Sequence, residues 1–246
     1  MSEPSARVAI VTGASRGIGA EIARRLARDG CSVAVNYSVR LEAAQAVVDQ
    51  IAAAGGRAVA IQADVSRGAD VAQLFDQTEA LLGPPTLVVS NAGIMTVSTI
   101  ADMDDADFDA MLAINLKGVF NMLREAARRL PSGGRIINIS TTQTRLASPG
   151  YGPYAASKLG VELLTQVLAK ELRGRGITVN AVAPGPTATD LFFEGKSPDL
   201  IEHIAKVAPL ERLGTPQDIA GVVAMLASRQ GDWINGQTIF VNGGAA

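Results

Sequence analysis

Tyr154 and Lys158, in the run Tyr154-Ala-Ala-Ser-Lys158, are the pair in this sequence best suited to proton chemistry. Residues four apart are neighbours on a helix face. The segment from Tyr154 to Arg173 is periodic in that sense, through Leu159, Val161, Leu163, Leu164, Val167, Leu168 and Leu172. Pro153 suits a helix start, because its missing N–H would be unpaired there anyway. An ammonium one turn from a phenol stabilises the phenolate and lowers its pKa from about 10 toward the working range of an acid/base catalyst. Taken alone the pair is also an ordinary surface pattern, so its meaning depends on the elements that would position it.

Those elements alternate. Apolar, β-branched runs at Val8–Thr12, Ser32–Asn36, Ala58–Gln62, Leu87–Ser90, Arg135–Ser140, Thr178–Ala183 and Thr238–Val241 read as strands. Between them, helical patterns run over Gly17–Asp29, Leu41–Ala54, Val71–Leu82, Asp105–Leu130, Tyr154–Arg173 and Pro216–Ala227, with an irregular stretch from Pro186 to Pro209. Near-continuous apolar strands separated by helices predict an α/β fold, a doubly wound parallel sheet of about seven strands with helices on both faces. No linker or internal repeat divides the chain, which reads as one domain over residues 1–246.

Composition narrows the function classes. Twenty-two Lys and Arg against 24 Asp and Glu leave a formal charge of -2 with no block of like charge, so the chain offers no footprint for nucleic acid or an anionic membrane. No run reaches transmembrane length, and the opening residues lack the apolar core of a signal peptide. The one cysteine, Cys31, fits a small core residue in a reducing compartment. A soluble, cytoplasmic protein is the expectation. No His, Cys and Asp cluster has metal-ligand spacing, and the lone His203 reads as a surface residue.

The turn after the first strand is the second chemical feature. Thr12-Gly13-Ala14-Ser15-Arg16-Gly17-Ile18-Gly19 places three glycines between strand and helix, where the backbone turns tightly and a helix N-terminus can hold a pyrophosphate. The spacing is G-x-x-x-G-x-G rather than G-x-G-x-x-G, and a plain tight turn is the competing reading.

With these motifs in order, the sequence resembles the classical short-chain dehydrogenases/reductases, Rossmann-fold enzymes that use NAD or NADP. The resemblance runs from Val8 to Gly244. It implies that the glycine turn is the cofactor loop, that Asp64-Val65 lies beside the adenine, and that Asn91-Ala92-Gly93 follows the fourth strand. It further implies that Asn115 holds a proton-relay water, that Tyr154 and Lys158 are the catalytic pair, and that Pro184-Gly185 with Thr187 and Thr189 contacts the nicotinamide amide. A helix kink or a satisfied polar residue is the lesser alternative for Asn115, and Asp64 is equally readable as a strand-end cap. Where the family usually has two asparagines before Ala-Gly, this chain has Ser90 first. The family's catalytic hydroxyl falls at Thr141, with Ser140 as the competitor; strand alternation would send the two to opposite faces.

The resemblance implies hydride transfer between a nicotinamide and a ketone, with Tyr154 as proton donor and the hydroxyl at residue 141 or 140 binding the substrate oxygen. The end of the second strand, Asn36-Tyr37-Ser38-Val39-Arg40, has no acid before Glu42 to bind ribose hydroxyls. Arg16 and Arg40, with Ser38, could frame a 2′-phosphate, so NADP(H) is expected ahead of NAD(H); both arginines as plain surface residues is the alternative. Leu191, Phe192, Phe193 and Ile201 make the irregular stretch 186–209 either a substrate lid or a helix packed on the core. Leu146, Pro149, Gly150 and Tyr151, with Met95 and Val97, would line the opposite wall. Much of the chain resembles the bacterial 3-oxoacyl-[acyl-carrier-protein] reductase branch, whose acidic carrier would call for a basic patch such as Arg124, Arg128 and Arg129, and the resemblance supports a general carbonyl reductase more firmly than a fatty-acid enzyme. An oxidative sugar or polyol dehydrogenase, and a cofactor sensor without turnover, are the alternatives. The family also implies a homotetramer built on the two long helices, and Trp233 is read as core or interface packing.

Overall fold

The computed structural model describes residues 7–246. Seven strands, β1 (Val8–Val11), β2 (Ser32–Tyr37), β3 (Arg57–Gln62), β4 (Leu87–Ser90), β5 (Arg135–Ile139), β6 (Thr178–Pro184) and β7 (Thr238–Val241), form one sheet in the order β3-β2-β1-β4-β5-β6-β7. Every pairing is parallel. The strand order reverses between β1 and β4, and in such sheets ligands bind beyond the carboxyl ends of the strands at that point.

The sheet is covered on both faces because its strands alternate buried side chains to either side. Ala9, Val11, Val33 and Val35 pack under α1 (Gly17–Arg28), α2 (Leu41–Ala53) and α10 (Pro216–Ala227), through Ile22, Leu26, Val47, Ile219 and Val223. Val8, Ile10, Ala34 and Val88 pack on the other side with Phe75 of α3 (Gly68–Leu82), Met122 of α5 (Gly118–Arg129) and Val161 of α7 (Gly152–Glu171). Each large apolar side chain so removed from water contributes about 1.5–3 kcal/mol. Cys31 is buried in the first layer, where burial pushes its thiol up, in keeping with a packing role.

Two parts of the chain depart from the expected elements. The helix expected over Asp105–Leu130 is α4 (Asp105–Met111), a π-helical turn over Leu112–Lys117, and α5, with the Gly118 N–H reaching back to the Ala113 carbonyl. π turns of this kind concentrate at functional sites. The stretch expected to be irregular holds two helices, α8 (Asp190–Phe193) and α9 (Pro198–Val207), while a short α6 (Gln143–Leu146) follows β5. Ser197 caps α9 by accepting the Leu200 N–H, and Pro198 occupies its first turn, so its start was written in the sequence. No helix among the described residues is long and apolar enough to cross a membrane.

Candidate active site

A cleft of about 960 Å³ opens at the carboxyl ends of β1, β4, β5 and β6. At one end is the glycine turn. Gly13 has φ +61°, and a Cβ there would lie 2.9 Å from Ala92 Cα; one on Gly19 would lie 2.4 Å from Asn91 Nδ2. Any larger residue would therefore push the turn away from β4. Asn91 ties the two together, donating from Nδ2 to the Thr12 carbonyl at 2.9 Å and to the Gly13 carbonyl at 3.2 Å. Thr12 Oγ1 answers by accepting the Asn91 and Ala92 N–H groups at 2.9 and 3.0 Å. The single Asn91 thus suffices where two asparagines are usual, and Ser90 stays buried with no hydrogen-bond partner on its hydroxyl.

Ser15, Arg16, Gly17 and Ile18 line the cleft at the start of α1, whose first turn carries no acid. Tyr37, Ser38 and Arg40 line it from the end of β2. Arg16 and Arg40 are exposed and make no ion pair among the described residues. Asn36 also borders the cleft, but its amide is spent on the fold. Its Oδ1 accepts the Gly13 N–H at 3.3 Å, and its Nδ2 donates to the carbonyls of Tyr37, Ile61 and Ala63. It positions the turn rather than offering a free group. Asp64 likewise caps the turn after β3, its Oδ1 accepting the Ser66 N–H and hydroxyl, while Asp64 and Val65 still face the cleft.

Across the cleft, Gly185 donates to the Val241 carbonyl at 2.9 Å, and Thr187 donates to the Gly185 carbonyl at 2.9 Å. Thr189 accepts the Phe192 N–H as the cap of α8 and sits against Gly17. Pro184, Thr187 and Thr189 line the same space as Gly93 and Ala92.

Tyr154 and Lys158 stand on the first turns of α7, with Thr141 opposite at the end of β5. Burial pushes the Tyr154 phenol up from its ordinary value, a hydrogen bond with Thr141 opposes that, and the nearby Tyr151 phenol adds to the rise. The expectation that Lys158 lowers the Tyr154 pKa is therefore not met in this structure. Burial holds Lys158 itself down to about 8, and its Nζ donates to the Ile139 carbonyl at 2.9 Å.

Lys158 supplies a pH signature. Its unfolded-state pKa is 10.5 and its folded value about 8, so between those values the unfolded chain holds a proton that the folded chain lacks. Stability referred to Lys158 is therefore lowest, and constant, below pH 8 and rises toward pH 10.5. Urea unfolding of wild type and Lys158→Met should show wild type gaining up to about 3 kcal/mol relative to the variant between pH 7 and pH 10. Parallel pH profiles would contradict it.

The two hydroxyls after β5 part company. Ser140 Oγ donates to Glu162 Oε1 at 2.6 Å, and Thr144 Oγ1 donates to the same oxygen at 2.9 Å. Thr141 Oγ1 accepts the Gln143 N–H at 3.3 Å, which leaves its hydrogen to donate toward Tyr154. Glu162, on α7, was missed in the sequence because nothing local marks a carboxylate that acts across 22 residues.

Asn115 lies wholly buried behind the cleft, on the π turn. It exchanges two 2.9 Å hydrogen bonds with the Ile94 backbone, and its Nδ2 lies 3.3 Å from Ser157 Oγ. A Cβ on Gly93 would meet Asn115 Oδ1 at 3.1 Å and Lys158 Nζ at 3.4 Å, so all three converge. The Asn115 side chain thus has both ends of its amide satisfied within the protein.

Met95, Leu146, Tyr151 and Phe192 line the outer cleft, and the Leu191 side chain lies outside the described residues. Val97, Pro149 and Gly150 do not join the lining; Val97 packs against Gly150 instead. Leu200, Ile204 and Val207, spaced along one stripe of α9, face the cleft, which decides against a helix buried on the core. His203 is exposed on the same helix, and no cluster with metal-ligand geometry occurs among the described residues. Trp233 is 99% exposed, so it is not core.

The family model described as "Enoyl-(Acyl carrier protein) reductase" matches residues 13–246. A "Short-chain type dehydrogenase/reductase" from Picea abies is 48% identical over 97% of this chain and 92% of its own length. The chain belongs to the short-chain dehydrogenase/reductase family. Another relative in this family, "NADPH-dependent aldehyde reductase-like protein, chloroplastic" from Arabidopsis thaliana, is 46% identical over 97% of the chain and 93% of its own. Among solved structures, a short chain dehydrogenase from Burkholderia cenocepacia J2315 in complex with NADP superposes with a TM-score of 0.92 at 40% identity, covering 98% of both chains. As a short-chain dehydrogenase/reductase, the chain is an oxidoreductase, and its seven-stranded parallel sheet is the family's Rossmann fold.

Proposed function

We propose that this oxidoreductase is an NADPH-dependent carbonyl reductase in which Tyr154 protonates, and Thr141 holds, the oxygen of a ketone. The observation that carries the reading is the convergence of Tyr154, Thr141 and the buried Lys158 in the cleft that also holds the glycine turn.

The residues present fit a dinucleotide phosphate. The close-packed turn at Gly13 and Gly19 leaves backbone rather than side chain against a pyrophosphate, and α1 offers its N-terminus with no acid to repel it. Arg16, Ser38 and Arg40 gather at the end of β2 without a carboxylate, which favours a 2′-phosphate over free ribose hydroxyls. The Arabidopsis relative named as NADPH-dependent and the Burkholderia structure with NADP support the same choice, with NAD(H) second. When bound, NADP(H) supplies the hydride.

The chain's own residues supply the rest. The Thr141 hydroxyl, its oxygen already accepting the Gln143 N–H, donates to the substrate oxygen and stabilises charge as it develops there. Tyr154 donates its proton to that oxygen. Its raised pKa keeps it protonated at neutral pH but makes it a weaker acid, so the transfer relies on the charge that develops on the substrate oxygen. Lys158, mostly protonated at pH 7 with its pKa held down to about 8, keeps a cation in the cleft, and the main chain around Asn115 returns the proton through water. The helices of 186–209 act as a lid whose apolar stripe excludes water.

The substrate is a small ketone or its alcohol rather than a carrier-bound acyl chain. Arg128 and Arg129 pair with Glu125 and Asp76, and Arg124 lies 3.9 Å from the same Glu125, so three arginines share two carboxylates and a single positive charge is left for an acidic carrier. Exposed Phe120, Leu159 and Leu163 flank an apolar groove between α5 and α7, consistent with a homotetramer through the long helices. The reading places the chain in one domain and in the cytoplasm.

The test is NADPH oxidation by the purified chain with aryl ketones, a 3-oxo ester, an acetoacetyl thioester and a sugar lactone. Thr141→Val should lower kcat about 10²- to 10³-fold on the best substrate, and Ser140→Ala by far less. The reverse order would return the role to Ser140, and oxidation of sugars or polyols with no ketone reduced would favour the oxidative dehydrogenase.

A further inference from the structure

Tyr154, Lys158 and Glu162 stand four apart on α7, so they share one stripe of that helix. Each reaches a different atom where β5 ends. Tyr154 shares a hydrogen bond with Thr141, Lys158 Nζ donates to the Ile139 carbonyl at 2.9 Å, and Glu162 Oε1 accepts from Ser140 Oγ at 2.6 Å. Thr144 Oγ1, in α6, lies 2.9 Å from that same Glu162 oxygen and 2.9 Å from the Thr141 carbonyl. A hydroxyl has one hydrogen, and the charged carboxylate is the stronger acceptor for it. The Thr141 carbonyl still accepts the Thr144 N–H at 3.3 Å.

The two hydroxyls that Glu162 holds therefore bracket Thr141. On the sheet side, the Ser140 and Thr142 N–H groups are fixed to the Val182 and Pro184 carbonyls of β6 at 2.7 and 2.9 Å. Among the described residues, Glu162 is the one side chain whose hydrogen bonds tie both sides of Thr141 to the helix that carries Tyr154. The α6 turn is four residues long, too short to hold its own place. Glu162 does not border the cleft, so whatever it does for the reaction it does through the residues it holds.

Resting on the carbonyl-reductase reading, we infer that Glu162 is a positioning residue: by clamping Ser140 and Thr144 to α7, it sets the Thr141 hydroxyl and the Tyr154 phenol where both meet one substrate oxygen. Such a clamp matters because a reacting group misplaced by about 1 Å can cost about 10²-fold in rate. It also gives Ser140 its part, as a donor to Glu162 rather than to the substrate.

The experiment is a double-mutant cycle between Glu162 and Thr141, read as kcat and KM with NADPH and the best ketone of the panel. Glu162→Leu should lower kcat about tenfold or more while the KM for NADPH stays within about twofold. In the Thr141→Val background the hydroxyl to be positioned is gone, and the same substitution should cost less than about threefold. Glu162→Gln, whose side-chain oxygen can accept both hydroxyls, should recover most of the loss. Ser140→Ala combined with Thr144→Val removes the donors and leaves Glu162 in place. It should reproduce the Glu162→Leu pattern in both backgrounds, and it carries the test if Glu162→Leu does not fold. Equal losses with and without the Thr141 hydroxyl would assign Glu162 to the fold alone and overturn the inference while leaving the reductase standing. A Glu162→Leu kcat within about threefold of wild type would do the same. Absence of turnover of every ketone in the panel by the wild-type chain would overturn the reductase reading and the inference with it.

Discussion

Tyr154→Phe is expected to lower kcat for ketone reduction by about 10²- to 10⁴-fold, the range supplied by one positioned general acid. The substitution removes only the phenolic oxygen, so packing of the ring against the cleft wall and the fold of α7 should persist, and NADPH should bind as before. The size of the loss follows from geometry. Thr141 stays to bind the substrate oxygen, but the remaining ionisable groups near it are Tyr151, whose phenol belongs to the outer wall, and Lys158, whose Nζ is turned to the Ile139 carbonyl. Neither replaces a donor at the reacting oxygen. Single-turnover and steady-state rates with NADPH would check this; a loss under tenfold would assign the proton to another group.

Arg16→Ala and Arg40→Ala should each weaken NADPH binding by about tenfold to a hundredfold, as expected for a lost charge-assisted hydrogen bond to phosphate. The preference for NADPH over NADH should collapse in the double variant. Both guanidinium groups are exposed and free of ion pairs among the described residues, so their removal costs the fold little and the effect should appear in binding alone. It should also weaken with salt, since exposed charges are screened within about 10 Å at 0.1 M. Titration of NADPH and NADH by fluorescence at two ionic strengths measures it, and unchanged affinity in the double variant would return both arginines to the role of plain surface residues.

The parts of this molecule legible in its sequence are those set by local pattern. Short apolar, β-branched runs bounded by turn residues mark the strands, which is why all seven were found to within a residue at each end, and the glycine turn announces itself by spacing between a strand and a helix. What was missed depends on contacts distant in the chain. The π turn at Leu112–Lys117 shifts the helix by a single residue, too little to disturb a 3.6-residue pattern, and only the buried Asn115 hinted at it. Glu162 gathers Ser140 and Thr144 across turns that no window spans. Strand alternation could separate Ser140 from Thr141 but not say which faced Tyr154, because the side that α7 covers is a tertiary fact. Asn36 shows the converse case, since residue type and position suggested a ligand-binding amide where the fold uses every polar atom to hold the turn. The two helices in 186–209 were written in caps, Thr189 before α8 and Ser197-Pro198 before α9, but their apolar residues suited a core as well as a cleft.

The most direct measurement is transfer of deuterium from NADPH labelled at C4 of the nicotinamide to the carbinol carbon of the product, read by mass spectrometry across the ketone panel. The account predicts label on that carbon with at least one substrate, together with its loss in Tyr154→Phe over the same time. NADPH bound in the cleft with no label transferred to any ketone, and none removed from the corresponding alcohols, would contradict it and leave a cofactor-binding protein without turnover.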